Sequence, residues 1–107
     1  MRTKHNIVVL TNDVDTESTL RILFGTNDRI GDIQVHRTLD SLAAALDRGL
    51  APLVLVDIDA DPLGLLDRIE PIVNSCLHTK FVVLARELEN DVVLQAMQVG
   101  IRYVQLK

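Results

Sequence analysis

Five short aliphatic runs at near-regular intervals constrain this chain more than any other feature. They are Ile7–Leu10, Ile33–Val35, Leu53–Val56, Phe81–Leu84 and Tyr103–Leu106, and their starts lie 20–28 residues apart. Val, Ile and Leu dominate them without strict polar alternation, the pattern of strands buried on both faces. The spacing is too long for hairpins and suits a crossover helix between parallel strands.

The intervals carry helix patterns. Thr16–Phe24 has Leu20, Ile22, Leu23 and Phe24, with Asp13, Asp15 and Glu17 near the positive end of the helix dipole and Gly25 as the expected stop. Leu39–Arg48 places Leu39, Leu42, Ala43 and Leu46 on one face, with Thr38 as cap and Gly49 as terminator. Asp61 and Pro62 read as N-cap and first residue of a third helix with a Leu65, Leu66, Ile69, Ile72, Val73 stripe, which Pro71 is expected to stop or kink. Asn90–Val99 is the fourth, capped by Asn90, closed by Gly100, with Val93, Ala96 and Met97 facing inward. Strands alternating with helices predict an open, doubly wound parallel sheet. Sites in such sheets lie outside the carboxyl ends of the strands.

Composition excludes several function classes. There is no Lys/Arg cluster, net charge is −4, and the aromatic share is 3%, so neither a basic nucleic-acid footprint nor a base-stacking platform is present. The basic start, Met1–His5, precedes an apolar run too short for a signal sequence. The longest apolar run, Ala51–Val56, is far below the roughly 20 residues a membrane-spanning helix needs. Cys76 is the only cysteine, which suits a reducing, cytoplasmic setting. Cys76 and His78 form one pair without a second, too few ligands for zinc.

The segments after the strands are Thr11–Asp15, His36–Arg37, Asp57–Asp61, Ala85–Glu87 and the final Lys107. A calcium loop beginning at Asp57 is excluded, because Pro62 and Arg68 stand where Gly and Glu are required. On local grounds Asp59 reads as a loop acid, Asp57 as an acceptor in a turn, Lys107 as a solvated lysine, and Arg86 with Glu87 as a rim ion pair.

The segments Leu53–Asp57, Phe81–Ala85 and Ala96–Gly100 leading into Tyr103–Lys107 carry a family resemblance. Over its whole length the chain resembles the receiver domains of bacterial two-component signalling, with the CheY-like fold. The resemblance implies an α/β, three-layer, five-stranded parallel sheet in the order 2-1-3-4-5. It implies that Asp57 stands at the phosphoacceptor position and that Lys107 matches the lysine that contacts the phosphoryl group. The acid pair that holds Mg²⁺ falls on Thr11 and Asn12, or on Asn12 and Asp13 if slid by one. Ala85 stands where a hydroxyl reads the signal, and Val104 at the aromatic switch position. Asp13 with Asp57 remains a weak candidate for Mg²⁺, which usually takes one or two carboxylates.

Two functions follow as expectations. The first is a phosphorylation-independent, non-enzymatic module without a cofactor. It would dock a protein partner or a second copy, as a homodimer, with Gln95, Gln98, Arg102 and Tyr103 as candidate interface. The alternative is a phospho-accepting receiver that uses Asp57 and Mg²⁺. Among degenerate receivers the chain is most similar to the N-terminal domain of the CpaE/TadZ type pilus-assembly and localisation proteins, in which an ATPase follows. No Gly-rich phosphate loop occurs here, so that ATPase would be a further, C-terminal domain of the parent chain. The 107 residues form a single receiver-like domain with five strands and only four helices, and the expectation is a fragment lacking the last helix. The vacant sheet face would then be covered by a partner.

Overall fold

In the computed structural model, which describes residues 5–49 and 51–107, strands and helices alternate throughout. The elements are β1 (His5–Leu10), α1 (Val14–Gly25), β2 (Ile30–His36), α2 (Leu39–Arg48), β3 (Leu53–Asp57), α3 (Pro62–Ser75), β4 (Lys80–Ala85), α4 (Asn90–Gln98) and β5 (Tyr103–Leu106). All neighbouring strands are parallel, in the order β2-β1-β3-β4-β5. Met1 to Lys4, most of the basic start, lie outside the described residues.

Strand side chains alternate between faces, and the core divides accordingly. Val8, Leu10, Val54, Val56, Phe81 and Val83 meet Leu42 and Leu46 of α2, Leu66 and Ile69 of α3, and Val92 and Ala96 of α4. On the opposite face Ile7, Val9, Leu55 and Leu84 meet Leu20 of α1, with Phe24 packed alongside. Among the described residues no helix follows β5, and only α1 covers this second face. Ile22 and Leu23 of α1 are 75% and 62% exposed, and Tyr103 of β5 is 48% exposed.

Caps fix the helix starts. Asp13, Thr38 and Asp61 accept backbone N–H groups from Asp15, Ser41 and Gly64, each cap contributing roughly 1 kcal/mol. At Gly100 the chain turns at φ +96°, a left-handed value that favours glycine, and so ends α4.

Four local expectations are corrected. Helix α1 begins at Val14, because Asp13 takes the cap, and Gly25 is its last residue with Thr26 as C-cap. Of the stop or kink expected at Pro71, the stop does not occur: helix α3 runs on to Ser75. Pro71 sits on the exposed side, while Ile72 and Val73 beyond it pack against the core and hold the last turn in place. Asn90 is the first residue of α4; Glu89 precedes it without a side-chain cap bond. Val92 and Ala96 form the buried face of α4, with Val99 buried at its C-cap, whereas Met97 is 64% exposed. Val92 replaces Val93 in that stripe because the helix settles one residue round from the expected orientation.

This assignment of the α4 face is testable by urea denaturation. Met97→Ala is expected to change stability by less than about 0.5 kcal/mol. Leu66→Ala, at a fully buried position, is expected to cost about 3 kcal/mol. Comparable losses would place Met97 in the core.

Candidate functional site at the carboxyl edge of the sheet

Three strand ends build the site. After β1, the Thr11 amide donates to His36 O at 3.0 Å, and Thr11 Oγ1 then accepts the Asp13 amide at 3.0 Å. After β3, Asp57 Oδ1 accepts the Asp59 amide at 3.1 Å, a side-chain-closed turn. After β5, the Lys107 amide donates to Ala85 O at 2.9 Å, continuing the ladder with β4 by one residue. That bond fixes where the Lys107 side chain starts.

The ammonium of Lys107 lies 2.7 Å from Asp57 Oδ2, 2.7 Å from Asp59 Oδ2 and 3.5 Å from Asp13 Oδ2. Thr11 Oγ1 donates to the same Asp57 Oδ2 at 2.7 Å. Asp59 Oδ1 accepts the Arg86 amide at 2.9 Å, and its Oδ2 meets the ammonium as an ion pair without an aligned hydrogen bond. The Arg86 guanidinium stands 3.8 Å from Asp13 and 3.7 Å from Asp59. The Lys107 and Asp57 side chains are only 14% and 6% exposed. Charges this well buried persist only when paired, and removing one partner of such a pair costs about 3–5 kcal/mol.

The local field shifts the partners. Burial works against the charge of Lys107 most strongly, but the hydrogen bond to Asp57 and the close carboxylates of Asp57 and Asp59 outweigh it and raise its pKa. Burial likewise opposes the charge of Asp59, yet Lys107, the Arg86 amide and both cations hold its carboxyl below the usual range. Asp13 is also lowered, chiefly by the Thr16 hydroxyl.

The structure thus brings Asp57, Lys107 and Asp13 together. Asn12 is exposed at the rim of the adjoining cavity, which also takes in Leu10, Leu39, Leu65, Arg37 and Arg68. Ala85 is buried and presents only a methyl group. The four candidate interface residues do not share one surface. Tyr103 pairs with Val82, which packs with the α1-side core; Val104 pairs with Val83 on the α4 side. Tyr103 therefore faces away from Gln95 and Gln98, and its ring carries the Lys80 ammonium 5.9 Å from its centroid. Arg102 is exposed just before β5.

Three local readings are overturned. Lys107 is an enclosed ion-pair partner, not a solvated lysine. Arg86 pairs with Asp13 and Asp59 and not with Glu87 among the described ion pairs. Asp59, read as a loop acid, is a full member of the cluster. Its signal was the Asp-x-Asp spacing after β3. Thr11 was visible only as a departure from an acid pair, and nothing in the sequence marked its bond to Asp57. Arg37 also escaped notice: it donates to Thr11 O at 3.1 Å and pairs with Glu17, tying the β2–α2 loop to α1.

No protein-family model matches the chain, and no curated protein matches it. Solved structures do. A CheY-like protein, TadZ, from Pseudomonas aeruginosa PAO1 is 23% identical, with a TM-score of 0.79 over 96% of this chain and 87% of that one. A response regulator from Thermotoga maritima is 19% identical, with a TM-score of 0.85 over 97% and 85% of the two chains. A protein of Burkholderia thailandensis E264 named as pilus assembly protein CpaE is 24% identical, with a TM-score of 0.70 over 95% and 84%. Together with the strand order, these likenesses decide the architecture. The chain has the CheY-like receiver fold.

In a receiver fold the Asp57 pocket is where the resemblance implies Mg²⁺. The residues present do not fit it. Among Thr11, Asn12 and Asp13 after β1 there is only one carboxylate, Thr11 donates to one oxygen of Asp57, and the Lys107 ammonium lies among the carboxylates. Among the described residues no three His, Cys, Asp or Glu side chains are arranged to hold a metal ion.

Two predictions follow from this receiver pocket. Thr11→Val removes one of the two donors to Asp57 Oδ2, the other being Lys107, and leaves the Asp13 amide without its side-chain partner; it is expected to cost about 1–3 kcal/mol in urea denaturation, and a neutral effect would mean that neither bond matters. The second concerns pH. Raised in the folded state, Lys107 stabilises fully below its ordinary value of 10.5, and the gain is lost as pH rises through the folded value. Lowered in the folded state, Asp59 stabilises above its ordinary 3.8, and that gain is lost as pH falls through the folded value. The stability gap between the wild-type chain and Lys107→Met is therefore expected to be constant near neutrality and to narrow above 10.5. A gap independent of pH would contradict the pairing.

Proposed function

We propose that this chain is a receiver-like interaction module that works without phosphorylation. The observation that carries the reading is Ala85. In the receivers it resembles, a hydroxyl at this position follows the phosphoryl group; a buried methyl group here can donate no hydrogen bond. Phosphoryl transfer also relies on metal and cation positioning, and the acid pair is missing. The module is non-enzymatic and cytoplasmic in this reading.

Its docking surface is the α4 and β5 side. Leu94, Met97 and Leu106 are 59%, 64% and 52% exposed there, beside the half-buried Gln95 and the exposed Gln98. The partner is a protein or a second copy of this chain. The likenesses to TadZ and CpaE favour a role in pilus assembly, with an ATPase as the companion domain.

A specific observation favours a second reading. Asp57 and Lys107 meet at 2.7 Å, as a phosphoacceptor and its lysine would. Acetyl phosphate with Mg²⁺, followed by intact mass, separates the two. No phosphoryl adduct is expected; an adduct that disappears in Asp57→Asn would overturn the proposal. Sedimentation tests the surface: self-association or partner binding is expected to be lost in Leu94→Asp with Met97→Asp. A chain that stays monomeric and partner-free before substitution would argue against the docking role.

A further inference from the structure

We infer that β5 pairs edge to edge, antiparallel, with β5 of a second copy of this chain across a two-fold axis at Gln105, so that two five-stranded sheets become one continuous sheet. The inference deepens the docking reading. It rests on the α4 and β5 side being the binding surface, and it names the partner and the register.

The two edges of the sheet differ. β2 forms one and β5 the other. An edge strand offers unpaired N–H and C=O groups to any strand that reaches it, and charged side chains and bulges are the usual guards. β2 is guarded: it carries Gly31 and the exposed Asp32, and its register with β1 is broken between His5 and Ile7. β5 has neither guard. Tyr103, Val104, Gln105 and Leu106 are uncharged, and their register with β4 is unbroken. Arg102 precedes the strand, and the ammonium of Lys107, which follows it, is turned inward to Asp57.

The backbone sets the register. Successive residues of a parallel strand direct their N–H and C=O groups to opposite edges. The Lys107 amide bonds to Ala85 O, so the groups of Tyr103 and Gln105 also face β4, and those of Val104 and Leu106 point outward. In an antiparallel pair, opposed residues exchange both N–H···O bonds. With Gln105 on the axis, Val104 opposes the partner's Leu106 and Leu106 opposes the partner's Val104. Every outward N–H and C=O of both strands is then used. An axis at Val104 would set Leu106 against the partner's Arg102, outside the strand, and an axis at Leu106 would leave Val104 unpaired.

The side chains agree with this register. Val104 packs on the α4 side, and strand alternation puts Leu106 on the same face. Val104, Leu106 and their copies form one apolar row there, on the side where Leu94 and Met97 are exposed, and the row covers Leu106, 52% exposed in the single chain. On the opposite face Gln105 meets its copy, and side-chain amides both donate and accept. The pairing uses the same edge of each copy and closes at the dimer. The guarded β2 edge keeps the sheet from growing further.

A cysteine on the axis reads the geometry directly. Residues opposed in a non-hydrogen-bonded pair stand about 4.5 Å apart at Cα, within disulfide reach. Gln105→Cys, with Cys76→Ala to remove the native thiol, is expected to cross-link to its copy under mild oxidation by diamide, read by non-reducing electrophoresis. Gln34→Cys in the same background, exposed on the β2 edge, is expected not to. Adding Leu106→Pro is expected to abolish the Gln105 cross-link, because proline removes an outward N–H that the ladder with β4 does not use. Leu106→Lys restores a guard and is expected to abolish it too, which keeps the test intact should the proline variant not fold. Sedimentation equilibrium of the unsubstituted chain is expected to show monomer and dimer and nothing larger. A chain that stays monomeric would overturn the inference, and so would a cross-link that survives Leu106→Lys. A dimer that depends on Leu94 and Met97 but never cross-links at Gln105 would keep the docking surface and sink the edge pairing. A monomeric chain whose β5 edge takes up another protein's strand would overturn the assignment to a second copy. A phosphoryl adduct on Asp57 would sink the phosphorylation-independent reading while leaving the cross-link to decide this one.

Discussion

An ammonium held between buried carboxylates is the interaction on which the rest of this molecule turns. Lys107 reaches Asp57 only because β5 lies beside β4 and β4 beside β3, all parallel and in register. Asp57 in turn is placed by a strand whose other residues are mostly buried on both faces. Leaving either charge unpaired in that setting would cost several kcal/mol. The ion pair and the sheet order therefore reinforce each other. Thr11 and Arg86 fill remaining lone pairs, and Arg37 braces the neighbouring loop through Thr11 O and Glu17.

The same arrangement shapes the functional reading. A pocket whose carboxylates already have their donors and cation lacks the open coordination that a metal-dependent switch uses. Ala85 presents only a buried methyl group beside it and can donate no hydrogen bond. On α4, by contrast, Leu94 and Met97 are exposed outside the pocket. On this account the fold serves as a fixed platform with its binding surface separated from its acidic edge.

Much of this was legible in the sequence, and the misses have identifiable causes. β1, β3 and β4 could be placed because buried parallel strands read as unbroken aliphatic runs; β5 falls at Tyr103–Leu106 as expected, but it and β2, the two edge strands, are half-buried to exposed and not buried on both faces. Thr38 and Asp61 were readable as caps because their bonds are local. Pro71 misled because a local rule gave way to the burial of Ile72 and Val73. The face of α4 was misjudged because Val92 and Val93 are adjacent and equally apolar, so only tertiary packing separates them. Asp57 and Lys107 emerged from their positions after strand ends. Asp59, Thr11 and Arg86 join the cluster through contacts that cross between strand ends, information that no single segment contains. The candidate interface failed as a single patch for a related reason: strand alternation turns Tyr103 to the opposite face.

Lys107 closes the pocket from within, and in the proposed reading the pocket does not respond to a phosphoryl group. Amide NMR spectra of the chain with and without beryllofluoride and Mg²⁺ address it most directly. The prediction is that the amides of Thr11, Asp13, Asp59, Arg86 and Lys107 stay in place, together with those of α4. Saturable shifts at these pocket amides that extend into α4 would contradict it.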